Sequence, residues 1–72
     1  MKTSQYHKIR LGSSIHSKTL TSEEIARATG HAVNTIRTKI MQYKKARRRG
    51  DMSYTIADIL KPKRGYAGVK FN

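Results

Sequence analysis

The chain has 72 residues, which allows one domain with a small core. It contains no cysteine, so disulfides, thiolate metal sites and cysteine nucleophiles are excluded. Sixteen lysines and arginines against four acidic residues give a net charge of +12, which is typical of proteins that bind a polyanion.

The positive charge surrounds a nearly neutral centre. Residues 21–43 carry a net charge of only +1, whereas the sequence KKARRR at residues 44–49 carries +5. Residues 1–20 and residues 61–72 carry +4 each. The centre also holds the best apolar periodicity, so the pattern predicts a small core with basic segments on its surface.

The segment before the centre, residues 4–16, allows two interpretations. Tyr6, Ile9 and His16 have a spacing that would place them on one face of a first helix, although the serines and the glycine among them oppose it. The alternating sequence KIRL at residues 8–11 equally fits a short strand.

A helix over residues 22–29 is predicted by local rules that agree. Thr21 and Glu24 have the spacing of a capping box, in which each residue satisfies an amide of the other. Leu20 and Ile25 have the spacing of a hydrophobic staple across the same end.

A second helix is predicted from Ala32 to about Arg47. Gly30 separates it from the first helix, because glycine adopts the left-handed conformation at little cost. Apolar residues recur with the spacing of one helix face, at Val33, Ile36, Ile40 and Tyr43.

The remainder of the chain carries turn signals. Residues 52–60 fit a strand by their β-branched content, or a short helix capped by Thr55 with Asp58 three residues on. The sequence KPKRGYAG at residues 61–68 is typical of a turn, and VKFN after it alternates like an edge strand. We favour a strand, a basic turn and a second strand over residues 53–72.

The central stretch SEEIARATGHAVNTIRTKIM, residues 22–41, resembles the helix-turn-helix of DNA-binding regulators. The matching positions are an apolar residue and alanine in the first helix, the turn glycine and two buried aliphatic residues in the second helix, here Ile25, Ala26, Gly30, Ile36 and Ile40. The chain departs from the pattern around the turn. Thr29 and His31 replace the usual aliphatic residues, and Ala32 replaces a capping serine or threonine.

The resemblance implies a mostly α fold, a small three-helix domain of the type found in phage and mobile-element regulators. Residues 1–72 would form a single DNA-binding domain, with the helix-turn-helix over about 21–47. The winged variant of the family implies a C-terminal β-hairpin wing over about 52–72, and a disordered basic tail is the alternative there.

In such a domain the second helix enters the major groove with its outward side chains near base edges. The resemblance implies base contacts from Val33, Asn34, Arg37, Thr38 and Met41. Arg37 suits the two acceptors of guanine and Asn34 suits adenine, although Asn34 is also a candidate helix cap.

Contacts to the DNA backbone are expected from the start of the first helix and from the cations of the second helix and the wing. These candidates are Thr21, Ser22, Lys39, Lys44, Lys45, Arg47, Arg48, Arg49, Lys61, Lys63 and Arg64.

We therefore expect a small transcriptional regulator that binds specific double-stranded DNA in the cytoplasm, associated with the nucleoid, with a homodimer left open. The alternative is a basic RNA-binding protein of the ribosome-associated or antitermination type, because an arginine-rich helix also suits RNA. The chain has few acidic residues, and its histidines lack metal-ligand spacing. Accordingly we expect no enzyme activity, cofactor, metal, small-molecule substrate or membrane partner.

Overall fold

Five elements follow one another along the chain, and the computed structural model describes them over residues 7–11 and 18–69. In order they are the strands β1 (Lys8–Leu11) and β2 (Lys18–Thr21) and the helices α1 (Ser22–Thr29), α2 (Val33–Arg48) and α3 (Ile56–Leu60). The described residues therefore form a mixed fold of three helices and a two-stranded sheet. The expected three helices are present, but the described fold is mixed, and its β-hairpin precedes the helices instead of following them.

The hairpin lies at the N-terminal side of the helices. β1 and β2 pair antiparallel, with Ile9 opposite Leu20. Ile9 and Leu11 are buried while Lys8 and Arg10 are exposed, as the alternation of side chains along a strand requires. The strand interpretation of KIRL is confirmed. The other residues named for a first helix, Tyr6 and His16, lie outside the described residues.

Helix α1 has the predicted bounds. The Thr21 hydroxyl oxygen accepts from the Glu24 amide at 3.3 Å, and a Glu24 carboxylate oxygen accepts from the Thr21 amide at 2.9 Å. Leu20 and Ile25 are both buried, as the staple requires. Gly30 ends the helix with a φ of 80°, and its amide donates to the Ala26 carbonyl.

Helix α2 begins after Ala32, which provides no side-chain cap. Asn34 lies inside the helix, so its interpretation as the cap is wrong. The predicted apolar face is confirmed, because Ile36 and Ile40 are fully buried, and Val33 and Tyr43 are partly buried against the core.

Helix α3 shows that the short-helix interpretation of residues 52–60 is right and the favoured strand is wrong. The Asp58 carboxylate accepts from the Thr55 amide at 2.7 Å and from the Thr55 hydroxyl at 3.1 Å. This pair begins a helix at Ile56 despite the β-branched residues around it. Ile59 and Leu60 are then buried, and α3 packs against α2.

The C-terminal segment, residues 61–69, contains neither helix nor strand. Over residues 52–69 the expected β-hairpin wing is therefore wrong, and the disordered tail does not describe this segment either. The Lys63 amide donates to the Thr29 carbonyl at 2.8 Å, and Val69 packs against the core. The end of the alternating VKFN stretch, residues 70–72, lies outside the described residues.

The core collects apolar side chains from all five elements. β1 packs against α2, β2 packs against α1, and the two long helices pack against each other. The buried members are Ile9, Leu11, Leu20, Ile25, Ala26, Ile36, Ile40, Ile59 and Leu60. Within residues 7–11 and 18–69, no helix has the length and apolar character needed to span a membrane.

Candidate nucleic-acid interface

The side of α2 opposite the core forms a line of exposed side chains. Asn34, Thr38, Met41 and Lys45 follow one another at helical spacings of three and four, so they share this face. All four are exposed. The Thr38 hydroxyl donates to the Asn34 carbonyl at 3.0 Å, which leaves its oxygen able to accept a further hydrogen bond. We call this side the outward face of α2.

Arg37 lies at the edge of the outward face and is held by α1. Its Nη2 is 3.6 Å from Glu23 Oε2, and both side chains are about half exposed. Ion pairs this exposed contribute about 0–1 kcal/mol, so the contact orients the guanidinium without locking it. Its Nε is buried and has no hydrogen-bond partner. Sequence reasoning missed Glu23 as a partner, because only the packing of α1 on α2 brings the two together.

Glu23 remains ionised to a lower pH than an ordinary glutamate. A backbone hydrogen bond lowers the pKa of Glu23 most, followed by the hydrogen bond from Ser22 and the positive charge of Arg37. The ion pair with Arg37 therefore exists across the whole neutral range.

One of the five predicted base contacts lies apart from the others. Val33 is partly buried and packs against the core, so it lies at the flank of α2. Asn34, Arg37, Thr38 and Met41 are brought together on the outward side.

The start of α1 does not suit a phosphate, contrary to expectation. Ser22 is fully buried, and its hydroxyl donates to Glu23 Oε1 at 3.0 Å. The Thr21 amide and hydroxyl both donate to Glu24. The carboxylates of Glu23 and Glu24 thus lie at this end of the helix, and their negative charge repels an anion.

The predicted phosphate contacts on α2 lie on two different sides of the helix. Lys44, Lys45 and Arg48 lie with Met41 around one depression on the outward side, and Arg49 is exposed just beyond the helix. Lys45, Arg48 and Arg49 are exposed and could meet a partner that covers the outward face.

Two other cations of α2 turn toward α3 and the loop before it. Lys39 interacts electrostatically with Asp58. Arg47 lies 5.7 Å from the centre of the Tyr43 ring, and its Nη1 is 2.9 Å from the Met52 sulfur. Lys39 and Arg47 are thus directed away from Asn34 and Thr38.

The cations of the C-terminal segment lie at the opposite end of α2, beside the turn between the helices. His31 Nε2 is 3.0 Å from the Lys61 carbonyl oxygen, and the Lys63 amide donates to Thr29. Lys61, Lys63 and Arg64 are all exposed there. His31, one of the departures from the helix-turn-helix pattern, is therefore a contact that holds the C-terminal segment.

Sequence reasoning also missed two cations of the hairpin. Lys8 and Arg10, with Ile9 and Thr19, line a second depression that reaches Lys44. Burial lowers the pKa of Lys44, and the neighbouring charge of Lys8 lowers it further. The alternation of KIRL was the signal that could have placed Lys8 and Arg10 on one exposed face.

Across residues 7–11 and 18–69, no three histidine, aspartate or glutamate side chains cluster in a way that could hold a metal ion. Comparisons with protein-family models, with curated proteins and with solved structures returned no match.

Proposed function

We propose that the protein binds double-stranded DNA in a sequence-dependent manner, with α2 as the recognition helix, and acts as a small transcriptional regulator. The observation that carries the proposal is the outward face of α2. Asn34, Thr38, Met41 and Lys45 are exposed along one line, while Ile36 and Ile40 fix the opposite side in the core. A helix presented in this way fits the major groove, which is about 12 Å wide.

Cations at both ends of the outward face support the same partner. Lys44, Lys45 and Arg48 lie toward its C-terminal end, and Lys61, Lys63 and Arg64 lie near its N-terminal end. A helix in the major groove has a phosphate backbone on either side of it, so cations at both ends can fix its register.

The side chains between these cations have the chemistry to distinguish bases. The Arg37 guanidinium can donate two hydrogen bonds to guanine, and the Asn34 amide can pair with adenine. Met41 offers an apolar contact for a thymine methyl group. Each good bidentate contact contributes about 1–3 kcal/mol of discrimination against the wrong base.

The test begins with a selection from random duplexes at physiological salt, with structured RNA as competitor. We expect an enriched duplex motif, and a two-fold symmetric motif would show that the protein binds as a dimer. Retention of duplexes without an enriched motif would contradict sequence-dependent binding. Preferential capture of the RNA would show that the partner is RNA and not DNA.

Variants then test the assigned roles. R37Q should lose preference at one base pair of the motif by roughly tenfold to a hundredfold, which corresponds to about 1–3 kcal/mol. R27Q is the matched control, because it makes the same Arg→Gln change at a residue that is exposed on α1 and does not belong to the outward face of α2. Equal preference in R37Q and R27Q would contradict base reading by Arg37.

A further inference from the structure

Two neighbouring depressions join the hairpin to α2. One is lined by His7, Met41, Lys44, Lys45 and Arg48 and has a volume of about 400 Å³. The other includes Lys8 and Arg10 and shares Lys44 with the first. We call the two together the basic groove.

Positive charge accumulates in the basic groove from two separate elements. Lys8 and Arg10 come from β1, and Lys44, Lys45 and Arg48 come from α2. No acidic residue is among the described residues that line it. Glu23 interacts electrostatically with His7, but it is paired with Arg37. Folding thus brings cations of β1 and α2 close together, and a surface with this charge attracts an anion.

The pKa of Lys44 is lowered, as expected for a cation that lies close to other positive charges. Burial lowers it first, and the charge of Lys8 contributes in the same direction. Geometry and electrostatics therefore agree that β1 and α2 present their cations to the same space.

The lining of the basic groove suits a polymer with apolar and anionic parts better than a free ion. Its larger depression has a mostly apolar wall that includes Met41, with cations around it. A sugar–phosphate backbone matches this surface, because the deoxyribose can pack on apolar atoms while its phosphates meet the lysine and arginine head groups.

We propose that the basic groove binds the sugar–phosphate backbone of duplex DNA beside the segment that α2 reads. The N-terminal hairpin is then a second contact of the interface, with Lys8 and Arg10 as phosphate ligands. This inference rests on the proposed function for its partner, duplex DNA. It adds a contact that contributes affinity and register but no base preference.

The test removes the two hairpin cations in the variant K8Q/R10Q. Its affinity should fall by the same factor, roughly tenfold at low salt, for the selected duplex and for an unrelated duplex. The slope of log affinity against log salt should decrease in magnitude by about 1.8, because each lost phosphate contact removes about 0.9. Thermal unfolding of both proteins checks that the variant remains folded.

The control R27Q/K39Q removes the same charge from residues outside the basic groove. Arg27 is exposed on α1, and Lys39 lies outside the two depressions, near enough to Asp58 for its charge to lower the pKa of that carboxyl. We expect this variant to keep the wild-type salt slope. Equal slopes in K8Q/R10Q and R27Q/K39Q would overturn the proposal, even where the wild-type protein selects a DNA motif.

A second measurement does not depend on variants. Titration of the isotope-labelled wild-type protein with the unrelated duplex should shift the backbone resonances of Lys8 and Arg10 together with the Met41 methyl resonance. Shifts confined to α2 would overturn the proposal. Binding without base preference would contradict the proposed function but leave this contact measurable, and failure to bind any duplex would overturn both.

Discussion

The hairpin and the C-terminal segment both bring cations to α2, but they are attached to the helices in different ways. In the hairpin, β1 and β2 are paired in regular register, and Ile9 and Leu11 are buried. The C-terminal segment has no regular structure. It is held by hydrogen bonds to the turn between α1 and α2, by Tyr66 against Gly30 and by the partly buried Val69.

The difference indicates that the hairpin and the C-terminal segment differ in local stability. Apolar burial is the main term that offsets the entropy lost on ordering a chain, and the hairpin has more of it. A segment held by a few exposed contacts can open locally while the rest of the domain remains folded. We therefore expect the hairpin to unfold with the core and the C-terminal segment to detach before it.

The largest expected effect compares one apolar side chain from each region. Ile9→Ala should lower the free energy of unfolding by about 2–5 kcal/mol, because it leaves a cavity in the core. Val69→Ala should lower it by only about 1 kcal/mol, since Val69 is partly buried. Urea unfolding followed by circular dichroism measures both. Equal losses would show that the C-terminal segment belongs to the same cooperative core as the hairpin.

The next effect tests the attachment at Gly30. An added Cβ at Gly30 would lie 2.5 Å from carbon atoms of the Tyr66 ring, and the φ of 80° already disfavours a side chain. Gly30→Ala should therefore lower stability by about 2–4 kcal/mol, of which about 1–2 kcal/mol comes from the left-handed backbone and the rest from displacing the Tyr66 ring. Thermal unfolding measures the loss.

Gly50 provides the matched control for this contact. Its φ is 81°, but an added Cβ there would meet no atom within 4 Å. Gly50→Ala should thus report backbone strain alone, and the excess loss in Gly30→Ala reports the displaced Tyr66 ring. In a Tyr66→Ala background this excess should disappear. An excess that persisted would mean that Tyr66 does not hold the C-terminal segment at the turn.

The contrast between the regions also explains what could be predicted from the sequence. The bounds of α1 follow from Thr21, Glu24 and Gly30, all of which act within a few residues of the helix ends. The buried face of α2 follows from the spacing of Ile36 and Ile40. Both signals are local, because a cap or a helical period is complete within one element.

The position of the β-hairpin could not be predicted in the same way. Alternation in KIRL and in VKFN offers equal support for strands at both ends of the chain, and the resemblance to winged proteins favoured the C-terminal end. The structure pairs β1 with β2 and leaves residues 61–69 without a strand. The contacts that decide this, from Lys63 to Thr29 and from Tyr66 to Gly30, join residues more than thirty positions apart.

In the candidate interface, too, features set within one element could be predicted, and contacts between elements could not. The spacing of Asn34, Thr38 and Met41 was enough to place them on one face of α2. The ion pair from Arg37 to Glu23 and the approach of Lys8 to Lys44 depend on how the elements pack, so composition and periodicity carry no signal for them.

The smallest expected effect is a difference in acid sensitivity between the two regions. Hydrogen bonds from the backbone and side chain of Thr55 lower the pKa of Asp58 below its ordinary value of 3.8. A carboxyl whose pKa is depressed by folding stabilises the protein fully above its unfolded pKa, and this contribution is lost as the pH falls through the folded pKa. Asp58 begins α3, and the C-terminal segment follows directly from the end of that helix. β1, which carries Ile9, contains no acidic residue.

Lowering the pH below about 3.8 should therefore loosen the C-terminal segment before the hairpin. Methyl resonances of Val69 and Ile9, followed from pH 5 to pH 2, measure the two regions separately, and Val69 should respond first. Asp58→Asn should remove this step. Asp51→Asn is the control, because hydrogen bonds from Ser53 also lower the pKa of Asp51, yet Asp51 does not cap α3. A Val69 step that survives in Asp58→Asn and vanishes in Asp51→Asn would place the acid-sensitive contact in the loop before α3. The C-terminal segment would then depend on the end of α2 instead of the cap at Thr55.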